Sequence, residues 1–330
     1  MAIDSKFQTK SDVEVFIGDE ITLGTATLAG GTWKKLPVVD YSIADKQAPL
    51  GVAPQRANSF GQQQSGAKHN RTEQMFEISL TMHGTAGVIN RICGALFEDD
   101  DADNRLLGSS PATVSFRDGV ANAVPVTILF KNGGSDVGTS NGEQDIHYKS
   151  AMCTSMELSY GIGTDGGALS CVATFVTGYI PVESTLTPTG SNITDVSGVV
   201  FNAHDISINS LGGKDVLIND FSLNISRPVN RVSYQSGAEF APYGYSIGAY
   251  EVTGTLGCKR DKNSADIATN TSTGIELNVG DSTFEVTAPK VMVESISTDL
   301  ADEGWKQEFS YRAFYDDASD TNPIVQIETS

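Results

Sequence analysis

Phe76-Glu77-Ile78-Ser79-Leu80-Thr81-Met82-His83 alternates apolar and polar side chains without a break, and Tyr250-Glu251-Val252-Thr253-Gly254-Thr255-Leu256 repeats the pattern in the second half of the chain. A period of two puts one set of side chains on a buried sheet face and the other in water. Phe221, Leu223 and Ile225, then Met156, Leu158 and Tyr160, then Phe309, Tyr311 and Ala313 follow the same rule. Their polar neighbours are rich in Ser and Thr, which keep β propensity while staying wet. The expectation is a mainly β protein.

Helical spacing is confined to two places. After Thr85, a fitting N-cap, residues Val88, Ile89, Ile92, Cys93, Leu96 and Phe97 recur every three to four positions. A weaker helix is expected over Asp261–Ala268.

The chain has 330 residues, enough for about two domains. Its 33 glycines and 19% charged content suit many turns between strands. A net charge of −19, from 41 acids against 22 bases, disfavours a protein that holds nucleic acid. The longest apolar runs are short, such as Val124–Phe130 with Pro125 and Thr127 inside it, far from the ~18 residues of a membrane span. Met1–Lys10 has no apolar core of the secretory kind, and Cys93, Cys153, Cys171 and Cys258 have no metal-ligand spacing. Free, buried thiols of a protein folded in cytoplasm are therefore expected.

An internal repeat sets the domain organisation. Asp40-Tyr41-Ser42-Ile43 echoes Asp220-Phe221-Ser222-Leu223, Gln64-Ser65-Gly66-Ala67 recurs as Gln235-Ser236-Gly237-Ala238, and Phe76-Glu77-Ile78-Ser79 echoes Tyr250-Glu251-Val252-Thr253. Three matches in one order predict a duplicated domain. The expected units are 1–186 and 187–330, with a Pro-, Thr- and Ser-rich linker at about 181–198. Two long loops stand out, 44–70 and 132–143. Loops of that length in a compact domain are usually functional or disordered.

Candidate chemistry is thin. Gly161-Ile162-Gly163-Thr164-Asp165-Gly166 matches the dinucleotide fingerprint, which needs a helix after it. Ala168–Phe175 follows and reads as a strand, so a Gly-rich hairpin turn is expected. The run Glu98–Asp101 with Asp103 lacks the central Gly and terminal Glu of a calcium loop. His69, His83, His147 and His204 show no paired ligand spacing, and no Gly-x-Ser-x-Gly elbow is present. No catalytic, metal or cofactor-binding residue is expected, and no enzyme activity.

The pattern resembles the major tail tube protein of long-tailed, siphovirus-like bacteriophages. The residues that carry the likeness are Met75–Met82 with the Ala86–Phe97 helix, Asp220–Ser226, Gln235–Ala238, Gly248–Gly257, and the closing hairpin Val291–Tyr315 around Glu303-Gly304-Trp305. The resemblance implies two tandem tail-tube-like β-sandwich or barrel units, each flanked by a short helix. It further implies a ring whose sheets line a lumen and whose long loops stack ring on ring into a hollow tube that conducts DNA into the host. Six copies of the fold around the lumen would need three chains of two units, a trimer with pseudo-sixfold symmetry, or alternatively a hexamer. Neighbouring copies, a tape measure protein and a tail terminator would be the partners, in a virion tail assembled in host cytoplasm. DNA would pass without specific binding, and no membrane would be involved.

On this reading the lumen face carries Asp40, Ser42, Glu77, Ser79 and Thr81 from the first half, and Ser222, Asn224, Glu251, Thr253 and Thr255 from the second. An ordinary solvated outer sheet is the competing assignment for that face. The inter-ring loop would be 44–70, with Pro49, Pro54, Phe60 and Gln64. The competing function is another virion β-sandwich module, for head–tail completion or adhesion.

Overall fold

The computed structural model describes residues 13–20, 23–27, 32–45, 75–96, 113–116, 125–132, 145–163, 165–184, 188, 193–196, 198–232, 242, 244–269, 275–301, 304–314 and 324–329. The loop residues Pro49, Pro54, Phe60 and Gln64, both Gln-Ser-Gly-Ala motifs and the acidic run from Glu98 lie outside them.

In the first half, strands β1 (Val13–Asp19), β2 (Trp33–Leu36), β3 (Val38–Asp45) and β4 (Phe76–His83) lead into helix α1 (Ala86–Leu96). Then come β5 (Thr113–Phe116), β6 (Val126–Asn132), the long β7 (Asp145–Gly161), β8 (Ser170–Thr177) and β9 (Val182–Ser184). A short β10 (Ile193–Asp195) runs parallel to β2. Both β9 and β10 fall within the 181–198 segment and pair with first-half strands.

In the second half the order is β11 (Ile208–Leu211), β12 (Lys214–Asp215), β13 (Ile218–Ser226), the hairpin β14 (Val229–Val232) and β15 (Gly244–Ile247), β16 (Glu251–Lys259), α2 (Lys262–Thr269), β17 (Ile275–Gly280), β18 (Phe284–Ala301), β19 (Gly304–Ala313) and β20 (Val325–Thr329). The protein is mainly β, and every strand except β14 and β15 belongs to one large, chiefly antiparallel network.

Through its middle runs an antiparallel sheet of eight strands, β3-β4-β8-β7-β13-β16-β19-β18. Its first four strands come from the first half, its last four from the second, and β7 pairs with β13 across the boundary. Beneath it lies one continuous core holding Ile78, Leu80, Leu158 and Phe175 from one half and Leu223, Val252, Leu256 and Phe309 from the other.

The two sets of four strands correspond in detail. β3 is bulged between Val38 and Asp40, and β13 between Ile218 and Asp220. β7 is bulged between Cys153 and Ser155 against β8, and β18 between Val293 and Ser295 against β19. A third irregularity sets Val126 and Ile128 of β6 against Ala151 and Tyr148, and Ile275 and Leu277 of β17 against Val291 and Ala288. Bulges bend and twist a strand at one defined place, so three coincidences mark a shared backbone plan.

The helices follow that plan. α1 begins after Thr85, whose Oγ1 accepts the Val88 N–H at 3.2 Å. α2 begins after Asp261, whose carboxylate accepts the Ser264 N–H at 2.9 Å, while Ser264 Oγ accepts the Asp261 N–H at 2.9 Å. That reciprocal cap supplies the start signal α2 lacks in hydrophobic periodicity.

With the bulges superposed, Asp40 takes the place of Asp220 and Ser42 that of Ser222. Glu77 then faces Ala44 where Thr253 faces Asn224. The sequence match of Glu77 with Glu251 is thus displaced by two positions along the ladder. A slip of two leaves each side chain on the face it had, because the strand period is two.

Candidate functional site

The wet face of the eight-stranded sheet brings together residues separated by the whole chain. Asp40 opposes Thr81, and Ser42 opposes Ser79. Thr81 opposes Val172, Val172 opposes Glu157, Glu157 opposes Asn224 and Asn224 opposes Thr253. Ser159 opposes Ser222, and Ser222 opposes Thr255. Glu77 and Glu251 lie on the same face through Ala44 and Ser226. All ten residues expected to line one surface are therefore on one side of one sheet.

The opposite side chains of the same strands enter the core: Ile78, Leu80, Phe175, Leu158, Leu223 and Leu256 are fully buried. Burial of that face, at roughly 2 kcal/mol for each large aliphatic side chain, fixes which residues stay wet. Ser155, Glu157 and Ser159 of β7 and Glu308, Ser310 and Arg312 of β19 share this polar side, as their alternation with Met156–Tyr160 and Phe309–Ala313 implies, although they are not among the ten expected to line it. Ser170 and Thr174 of β8 join them with no such signal, because the stretch between them is apolar on both faces.

Among the described residues of these strands, the polar face carries Asp40, Glu77, Glu157, Asp220, Glu251, Glu294, Asp299 and Glu308 against Lys259, Lys306 and Arg312. Arg312 is engaged by two carboxylates, Glu251 at 2.7 Å and Glu294 at 2.7 Å. The hydrogen bond to Glu294 and the charge of Glu251 raise its pKa further above the ordinary range. Ser222 Oγ and Thr255 Oγ1 share a hydrogen bond of 2.8 Å. The surface is hydroxyl-rich and net acidic.

The seam between the halves is held by more than its ladder. Buried Arg227 donates from Nη1 to the Tyr250 hydroxyl at 2.9 Å and lies over that ring, 5.3 Å from its centroid. The Tyr250 hydroxyl in turn donates to the Leu96 carbonyl at 3.1 Å, at the end of α1. Tyr160 of β7 packs on Phe221 of β13 with centroids 5.5 Å apart.

Other candidate chemistry is placed as follows. The stretch after Gly161 passes a single 3-10 turn, Asp165–Gly167, with Gly166 at φ 66° and Gly167 at φ 81°, and enters β8 rather than the α-helix that a pyrophosphate site requires. All four cysteines are buried and free. Burial pushes the Cys153 thiol up to about 12, and burial with the Asp261 charge pushes Cys258 up to about 12, which keeps both protonated and unreactive. Burial lowers the His147 pKa, and Lys149 adds to the effect. Among the described residues no group of three His, Cys, Asp or Glu is placed to hold a metal ion, and no helix is long and apolar enough to cross a membrane. No family model and no curated protein matches the chain.

Proposed function

We propose that this chain is a structural protein of the phage tail-tube kind. Three copies close into a ring of pseudo-sixfold symmetry, rings stack, and the polar sheet face lines a channel that conducts DNA. The observation that carries the reading is the joined sheet, with two four-strand sets of one plan laid edge to edge. Two sets per chain let three chains surround a lumen with six, and a hexamer is the alternative stoichiometry. A face with eight carboxylates against three bases gives phosphate few cationic holds, as a conduit for DNA requires. Closure also satisfies the edges that an open sheet would leave available for aggregation.

The partners in this reading are further copies of the chain, a tape measure protein that fills the channel during assembly, and a tail terminator. The site of action is the virion tail, after assembly in host cytoplasm, with no cofactor. Negative-stain microscopy of the purified protein tests it. Hollow rings or tubes are expected. Particles of single-chain size at every concentration overturn it and favour a head–tail completion or adhesion module instead.

A further inference from the structure

We infer that β3 and the 295–301 end of β18 are the two halves of an interface between copies of this chain, paired in the register that β7 and β13 use inside it. The inference rests on the ring reading for closure and on the internal seam for its geometry.

At the seam, Tyr160 faces Phe221, Leu158 faces Leu223 and Met156 faces Ile225, antiparallel, with all six side chains buried. The shared bulges put Leu300, Thr298 and Ile296 of β18 where β7 has Tyr160, Leu158 and Met156. They put Tyr41, Ile43 and Asp45 of β3 where β13 has Phe221, Leu223 and Ile225. Among the described residues β3 has a ladder partner on one side, β4, and 295–301 has one, β19. Both margins carry apolar side chains in water: Leu300 is 61% exposed and Ile43 is 39% exposed. Apolar groups on a sheet margin invite a partner strand.

Carrying the seam's register across sets Leu300 of one copy opposite Tyr41 of the next, Thr298 opposite Ile43, and Asp299 opposite Ser42. Leu300 then packs as Tyr160 does on Phe221. Asp299 and Ser42 continue the polar face without a step. The bulge at Glu294 ends the paired stretch, as the bulge at Thr154 ends the internal one. Because the two margins are different patches of one molecule, the contact is heterologous, the kind that makes a ring when the rotation between copies closes. It is also the more polar of the two seams, with Thr298 for Leu158 and Asp45 for Ile225, which suits a junction made after folding.

Cysteine pairs read the register directly, since facing residues of antiparallel strands have Cα atoms about 4.5–5.5 Å apart, within disulfide reach. Oxidised Ile43→Cys/Thr298→Cys protein should run as covalent dimers and closed rings on non-reducing denaturing gels. Ile43→Cys/Asp299→Cys, one residue out and on opposite faces, should not. Leu300→Lys, at a side chain exposed in the single chain, should leave the far-UV circular dichroism spectrum and cooperative unfolding of the chain intact and abolish rings. Wild-type rings without the first cross-link, or with the second, overturn the register while the ring reading stands. Leu300→Lys protein that still forms rings overturns the interface. Wild-type protein that never associates overturns both.

Discussion

The two halves of the molecule reach one backbone plan by different chemistry. In the first, α1 buries Val88, Ile89, Ile92, Cys93 and Leu96 in the core. In the second, α2 buries Ile267 and the hydroxyl of Ser264, and a reciprocal cap holds its start. The first half links β1 to β2 through a long connection from Glu20 onward, whereas Gly212 and Gly213, with φ of 61° and 70°, turn β11 into β12 in two residues. Met152, covered by the β14–β15 hairpin, is 3% exposed, while its counterpart Met292 is 48% exposed. Bulges, caps and ladder order persist where side chains do not, because they set the path of the chain and side chains need only fill the space it leaves.

The widest divergence is in the core of the central sheet. Ile78 packs near Phe175 in the first half; the matching positions are Gly254 and Tyr311. A Cβ at 254 would run into the Ser222 carbonyl oxygen and the Tyr311 hydroxyl, which donates to that carbonyl at 2.8 Å. Gly254→Ile should therefore cost about 4 kcal/mol or prevent folding, read by denaturant unfolding. Adding Tyr311→Phe, which copies the first-half pair, should recover part of the loss; no recovery would separate the two positions.

In the helices, Ile92→Ala should destabilise by about 3 kcal/mol, since it opens a cavity in a fully buried site. Ile267→Ala, on the thinner second helix, should cost less. Equal losses would remove the distinction drawn between α1 and α2.

Glu20 belongs to the first half alone. Its carboxylate accepts from the Ser150 N–H, the Ser150 hydroxyl and the Thr127 hydroxyl, each at 2.6 Å, and so holds Ser150 at φ 49° where β7 bends. Glu20→Ala leaves those buried donors without their acceptor and should cost about 2 kcal/mol. Burial raises the Glu20 pKa, against the opposing pull of these hydrogen bonds. The folded state then holds the proton more tightly than the unfolded chain. That contribution is full below the ordinary carboxylate range and is lost as pH rises through the elevated folded value. Relative to Glu20→Gln, the wild type should lose stability over that window in pH-dependent melts; an unchanged difference contradicts the assignment.

The smallest expected effects are at the caps. Thr85→Ala and Asp261→Ala should each cost about 1 kcal/mol, because they remove equivalent hydrogen bonds at equivalent helix starts. Thermal melts that differ widely between them would break the correspondence.

Alternation disclosed β4, β13, β16, β19 and the Met156–Tyr160 end of β7, with the wet face they share, and the Thr85 signal with its apolar spacing disclosed α1. The exact correspondence of the halves was hidden by letters: Glu77 and Glu251 match as residues but stand two ladder positions apart, while Thr85 and Asp261 match as positions but not as residues. The Asp40 and Asp220 motifs match as both. The β7–β13 seam was out of reach because its pairs, such as Tyr160 with Phe221, obey no local rule; which strand neighbours which is decided by packing across the chain. The bulges at Thr154 and Glu294 leave no composition signal either.

In the proposed assembly, copies of this chain close into a ring with two sheet sets each. Native mass measurement of single rings tests it most directly. Three chains of 35.0 kDa per ring are expected, with Leu300→Lys reducing the species to one chain. Rings of six chains, or no ring for the wild type, would contradict it.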